Sequence, residues 1–190
     1  MKHVSTAAPE VPRTVGSKAG QIPWAREGIA VLRETAARYG ATITYSEFAD
    51  AIQARSGVHT DAAQRTWLAP VLRLVATACH GRGLPPLISL AVNTRDGKVS
   101  PVYDVVRQIA GQEPFASKSE RERHAAQSRL ACYQEYCLEI PKDPKPTLAS
   151  DVAPTPSLAP RTQQIEQRAQ VCERCFIELP LMGGGCPNCD

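Results

Sequence analysis

The sequence predicts an α+β, mainly helical protein: a winged-helix-like domain followed, on a Pro-rich linker, by a small C-terminal ribbon. Three observations predict it. Short β-branched runs are interspersed among stretches of helical period between residues 23 and 140. Six prolines fall within residues 141–160, which favours extended polyproline geometry over a packed core. Four cysteines then close the chain in two pairs, each pair spaced by two residues.

The segments follow from these features. Residues 1–22 are small and polar, with Pro9, Pro12 and Gly16, and read as a flexible tail. Residues 23–140 form the globular domain, 141–170 the linker, and 171–190 the ribbon. Within the domain, Ile29, Leu32, Ala36 and Tyr39 recur at helical spacing, so Ala25–Tyr39 is expected as a helix stopped by Gly40. Ala41–Tyr45 reads as a short strand. Ser46 is the expected cap of a second helix, Glu47–Arg55, with Phe48, Ala49 and Ile52 inward. A third helix, Gln64 to Gly81, carries the apolar stripe Leu68, Val71, Leu72, Val75 and Cys79. Its Pro70 is tolerated in a first turn.

Leu87–Asn93 is expected as a strand. The φ-permissive run Asn93-Thr94-Arg95-Asp96-Gly97 turns it, and Lys98–Ser100 returns. A fourth helix covers Pro101–Ile109. A fifth starts at a capping box, Ser119 to Glu122, with Ala126, Leu130, Tyr133 and Cys137 on one face. Helix, strand, helix, helix, hairpin is the order of a winged helix. The third helix is then the candidate recognition helix. Its polar face presents Arg65, Thr66, Arg73, Thr77 and His80, with Arg95 and Lys98 on the wing.

The C-terminal pattern carries the most specific chemistry. Cys172 and Cys175, then Cys186 and Cys189, bracket ten residues that include Gly183, Gly184 and Gly185. A zinc ion takes four thiolates in a tetrahedron, and each two-residue spacing lets both sulfurs reach one ion. One structural Zn²⁺ is expected, with no open position for catalysis. About twenty residues cannot fold on an apolar core alone, so the metal must supply the folding free energy, on the order of 10 kcal/mol. Free thiols, two disulfides and iron in place of zinc are the alternatives.

Charge narrows the partners. The net charge is +3, unlike that of a strongly basic tail. Residues 171–190 carry Arg174 against Glu173, Glu178 and Asp190, so the ribbon is a poor phosphate grip. No apolar run of membrane-spanning length exists, and Met1–Ile22 holds no stretch of signal-peptide length. A cytoplasmic location with reduced thiols is expected, and the odd count of seven cysteines fits it.

Other candidates are weaker. Adjacent helical residues diverge by about 100°, so Cys79 and His80 make a poor nucleophile–base pair. Cys137 is expected in the core, with Cys132 unassigned, and Trp24 and Trp67 pack. Ser117–His124 alternates charge like a solvated helix face. An acid pair, a Gly-rich phosphate loop and a Ser-His-Asp pattern are not evident.

Three stretches, GATITYSEFADAI, AAQRTWLAPVLRLVATA and GLPPLISLAVNTRDGKVSP, together resemble the DNA-binding domain of O6-alkylguanine-DNA alkyltransferases and alkyltransferase-like proteins. The resemblance spans roughly residues 40–100. That family places a reactive cysteine, in a Pro-Cys-His-Arg motif, where this chain reads Ser89-Leu90-Ala91-Val92. The resemblance therefore implies a fold and a DNA-binding surface without alkyl transfer.

Three functions follow as expectations. The first is a non-enzymatic DNA-binding module using Arg65, Arg73, Arg82, Arg95 and Lys98. The second is a protein–protein adaptor, its ribbon presenting Phe176, Ile177, Leu179, Leu181 and Met182 to a partner. The third is an enzyme assembled from Cys79, His80, His124 or scattered carboxylates.

Overall fold

The computed structural model describes residues 13–148. The Cys172, Cys175, Cys186 and Cys189 set, and most of the Pro-rich linker, lie outside the described residues. Within them the architecture is α+β and mainly helical. Its elements are β1 (Arg13–Thr14), α1 (Gln21–Ala36), β2 (Ile43–Thr44), α2 (Tyr45–Ser56), β3 (Val58–His59), α3 (Gln64–His80), β4 (Ala91–Val92), α4 (Val105–Ile109) and α5 (Lys118–Tyr136). Single 3-10 turns at Leu87–Leu90 and Pro101–Asp104 precede β4 and α4.

The core is helical. α1 packs on α2, α3 and α5. Leu68, Val71, Leu72, Val75 and Cys79, the stripe read from the sequence, are all buried and meet Trp24, Leu32 and Phe48. Trp24 and Trp67 are buried with ring centroids 4.5 Å apart, and the Trp24 indole donates to the Val58 carbonyl at 2.7 Å. α1 and α2 approach so closely at Gly28 that a Cβ there would sit 2.9 Å from Phe48 Cζ. Glycine is needed at that crossing for lack of a side chain, not for its dihedral freedom.

Several elements differ from expectation. α1 starts four residues early and ends at Ala36, so Tyr39 lies beyond it, its ring 5.4 Å from that of Tyr133. Thr44, not Ser46, caps α2: its hydroxyl accepts from the Glu47 amide, and the Glu47 carboxylate accepts from the Thr44 amide. That reciprocal box is worth about 1 kcal/mol. Pro70 sits inside α3 instead of in its first turn. It withholds the bond that residue 70 would give the Thr66 carbonyl, on the exposed side of the helix. Ser117 caps α5 with Glu120, two residues before the expected Ser119–Glu122 box.

Residues 13–22, expected in the tail, are ordered against the domain. β1 pairs in parallel with β3, Arg13 opposite Val58. The wing also differs. Leu87–Leu90 is a buried 3-10 turn, not strand. β4 pairs with β2 in parallel, Ile43 opposite Ala91 and Thr44 opposite Val92. Lys98–Ser100 forms no returning strand, so the expected hairpin is absent. Cys132, unassigned from the sequence, is fully buried on α5, while Cys137, expected in the core, is the partly buried residue just past the end of α5.

Candidate nucleic-acid interface

Arg65, Thr66, Arg73, Thr77, His80, Arg95 and Lys98 are all exposed. On α3, Thr66, Arg73, Thr77 and His80 follow spacings of 7, 4 and 3, which align them along one stripe. From Arg65 to His80 the helix rises about 22 Å. The hydroxyls of Thr66 and Thr77 donate back to the carbonyls of Ala63 and Arg73. They therefore offer a ligand their lone pairs and not their protons.

The N-terminal half of α3 borders a cleft of about 460 Å³. Leu68, Ala69, Leu72 and Val102 give it an apolar lining, and Arg65, Gln64, Tyr45, Asn93 and Ser100 complete it. Gln64 donates to the Tyr45 carbonyl at 2.9 Å, tying α3 to α2. Burial pushes the Tyr45 phenol above its ordinary value, against hydrogen bonds from Ser100 that lower it, so it stays protonated at neutral pH.

Across the cleft lies the turn from Asn93 to Ser100. The Asn93 amide and side-chain amide both donate to the Lys98 carbonyl at 2.9 Å. The Gly97 amide donates to the Asn93 carbonyl, and the Lys98 amide to Asp96 Oδ1 at 3.1 Å. Gly97 supplies the positive φ, +63°, that closes the turn. These bonds use the turn's polar main chain internally and leave the Arg95 and Lys98 side chains facing water.

The C-terminal half of α3 is flanked by α4. Arg73 donates to Gln108 Oε1 at 2.6 Å beside a groove lined by Ala69, Pro70, Val102 and Val105. His80 borders a cavity of about 120 Å³ with Cys79, Val106 and Ile109. The exposed polar face of α3 is therefore most open at Arg65 and Thr66, beside the turn.

Some of the described cations are paired with carboxylates and others, Arg26, Arg38 and Arg123 among them, are exposed without one. Arg55, Arg107, Arg121 and Arg129 are each held by a carboxylate. Among the described residues no carboxylate pairs with Arg65, Arg73, Arg82, Arg95 or Lys98. The sequence separates the two classes poorly, because pairing depends on which elements meet.

No family model, curated protein or solved structure matches this chain. Among the described residues no helix is long and apolar enough to cross a membrane, and no cluster of three or more His, Cys, Asp or Glu side chains could hold a metal.

The thiols of the domain are set for packing. Burial pushes the Cys132 thiol up to about 12, with Ser89 beside it at 3.8 Å, and burial raises Cys79 as well. At pH 8 Cys132 is then roughly one part in ten thousand thiolate. In native protein treated with iodoacetamide, Cys137 should be alkylated well before Cys79 and Cys132, as read by peptide mass mapping. Equal labelling of all three would show that the core opens freely. Leu90, at the position the resemblance assigns to a reactive cysteine, is itself fully buried.

Proposed function

We propose that this chain is a zinc-containing, non-enzymatic DNA-binding module, regulatory or accessory in DNA transactions and acting in the cytoplasm. One observation carries the reading: exposed cations that no carboxylate pairs among the described residues lie on two elements beside one cleft, Arg65 at the start of α3 and Arg95 and Lys98 on the facing turn. Helix-turn-helix proteins read bases with the N-terminal residues of the recognition helix while flanking cations contact phosphates. The five cations of this surface would supply affinity chiefly by neutralising phosphates, with little sequence preference. Cys172, Cys175, Cys186 and Cys189 would hold one structural Zn²⁺. The succession of α1, β2, α2 and α3 supports a winged-helix-like reading, with a side-chain-held turn where the hairpin was expected.

Arg73 gives a test in fluorescence anisotropy with a duplex probe. Arg73→Ala should weaken binding severalfold and leave the melting temperature nearly unchanged, because its bond to Gln108 is exposed and worth at most about 1 kcal/mol. Loss of the fold would instead make Arg73 a packing residue.

A protein-adaptor reading has one observation in its favour, the apolar groove of about 340 Å³ between α3 and α4. In a pull-down, deletion of residues 171–190 that leaves every complex intact would count against a partner held by the ribbon.

A further inference from the structure

In a hairpin, the turn after β4 would be held by a returning strand. Here Asn93 and Lys98 share a backbone bond, and the amides that follow go elsewhere. The Val99 amide donates to Glu122 Oε2 at 3.1 Å, from α5. The Ser100 amide donates to the Tyr45 hydroxyl at 3.0 Å, from α2. Two consecutive donors are thus gripped by side chains of two different helices.

Glu122 is 5% exposed, and its other carboxylate oxygen is bound by Arg129, also 5% exposed. Burying such a pair carries a desolvation penalty of several kcal/mol per ion, which apolar residues of similar volume would avoid. Among the described residues, the pair's hydrogen bonds beyond itself all go to main chain. Arg129 donates to the Ser89 carbonyl before β4 and to the Thr147 carbonyl in the C-terminal segment, each at 3.3 Å. Glu122 takes the Val99 amide. The pair joins three chain segments that share no sheet.

We infer that Glu122 and Tyr45 are positioning residues for the turn that carries Arg95 and Lys98, with Arg129 fixing the Glu122 carboxylate. The grip holds Lys98 one residue from Val99, at a set offset from Arg65 across the cleft. A turn ordered before binding spares the complex the entropy of ordering it. The grip itself stands on the hydrogen bonds; its consequence for affinity rests on the DNA-binding reading.

The test combines amide hydrogen exchange by NMR with duplex anisotropy on the full-length protein. Tyr45→Phe keeps the ring and removes the acceptor, so the Ser100 amide should exchange roughly five- to tenfold faster, as expected for one lost hydrogen bond. Glu122→Gln leaves one acceptor oxygen for two donors; with Arg129 taking it, the Val99 amide should exchange faster as well. Tyr45→Phe should weaken duplex binding, and adding Lys98→Ala to it should cost less than Lys98→Ala costs the parent. Strictly additive losses would overturn the positioning role, and unchanged exchange in both variants would overturn the grip. Glu122→Gln disturbs a buried pair; if it unfolds, Tyr45→Phe decides alone. A parent that binds no duplex, with both amides responding, removes the DNA reading and leaves the grip in place.

Discussion

Replacing Arg129 with methionine should cost the domain about 3–5 kcal/mol, because it leaves the Glu122 carboxylate buried without its counter-charge. The same change strips hydrogen bonds from the Ser89 and Thr147 carbonyls. Urea unfolding followed by circular dichroism measures the loss as a fall in midpoint at unchanged slope. The double change Glu122→Leu with Arg129→Met should recover much of it, since an apolar pair avoids the desolvation penalty. Its Val99 amide, however, stays without an acceptor, so stability and turn order should part company in that variant. A single variant as stable as the parent would mean that water reaches the pair.

Trp24→Ala should cost a similar amount, about 3–5 kcal/mol, for a different reason. The side chain is fully buried against Trp67, the β3 backbone and Gly20, so truncation opens a cavity at the start of α1. It also strands the Val58 carbonyl, which holds β3 where β1 pairs with it. Trp24→Phe separates the two effects: it keeps most of the volume and loses only the indole bond, worth about 1 kcal/mol. Typical domains have only about 5–15 kcal/mol in hand, so the alanine variant should be marginal near 37 °C. A loss below about 1 kcal/mol would show that the two tryptophans do not anchor α1 to α3.

What the sequence made legible was periodicity. The α3 stripe from Leu68 to Cys79 recurs at helical spacing over about three turns, and a pattern of that length has no competing explanation. Phe48, Ala49 and Ile52 were legible on α2 for the same reason. The run Leu87–Leu90 was not, because residues buried on all sides lose the alternation that marks a strand, and Pro85 and Pro86 before it admit a 3-10 turn equally well. Cys137, expected on the inner face of α5, lies one residue past the helix in extended backbone, and helical spacing alone does not mark where the helix stops. Glu122 sits in the charge-alternating Ser117–His124 stretch, which reads as solvated. Its burial depends on Arg129, seven residues on, and on an amide twenty-three residues away. The exposure of the seven candidate residues on α3 and the turn was legible from polarity. The tie from Arg73 to Gln108, and the covering of the far half of α3 by α4, depend on how a five-residue helix docks, for which the sequence carries no periodic signal.

The most direct test of the central claim is the affinity of the full-length protein for duplex DNA across a salt series, from about 50 to 200 mM. If Arg65, Arg73, Arg82, Arg95 and Lys98 each displace a counterion, log affinity should fall against log salt with a slope approaching about −4.5, and Lys98→Ala should reduce it by about one. Binding indifferent to salt, or no binding at the lowest salt, would contradict the account.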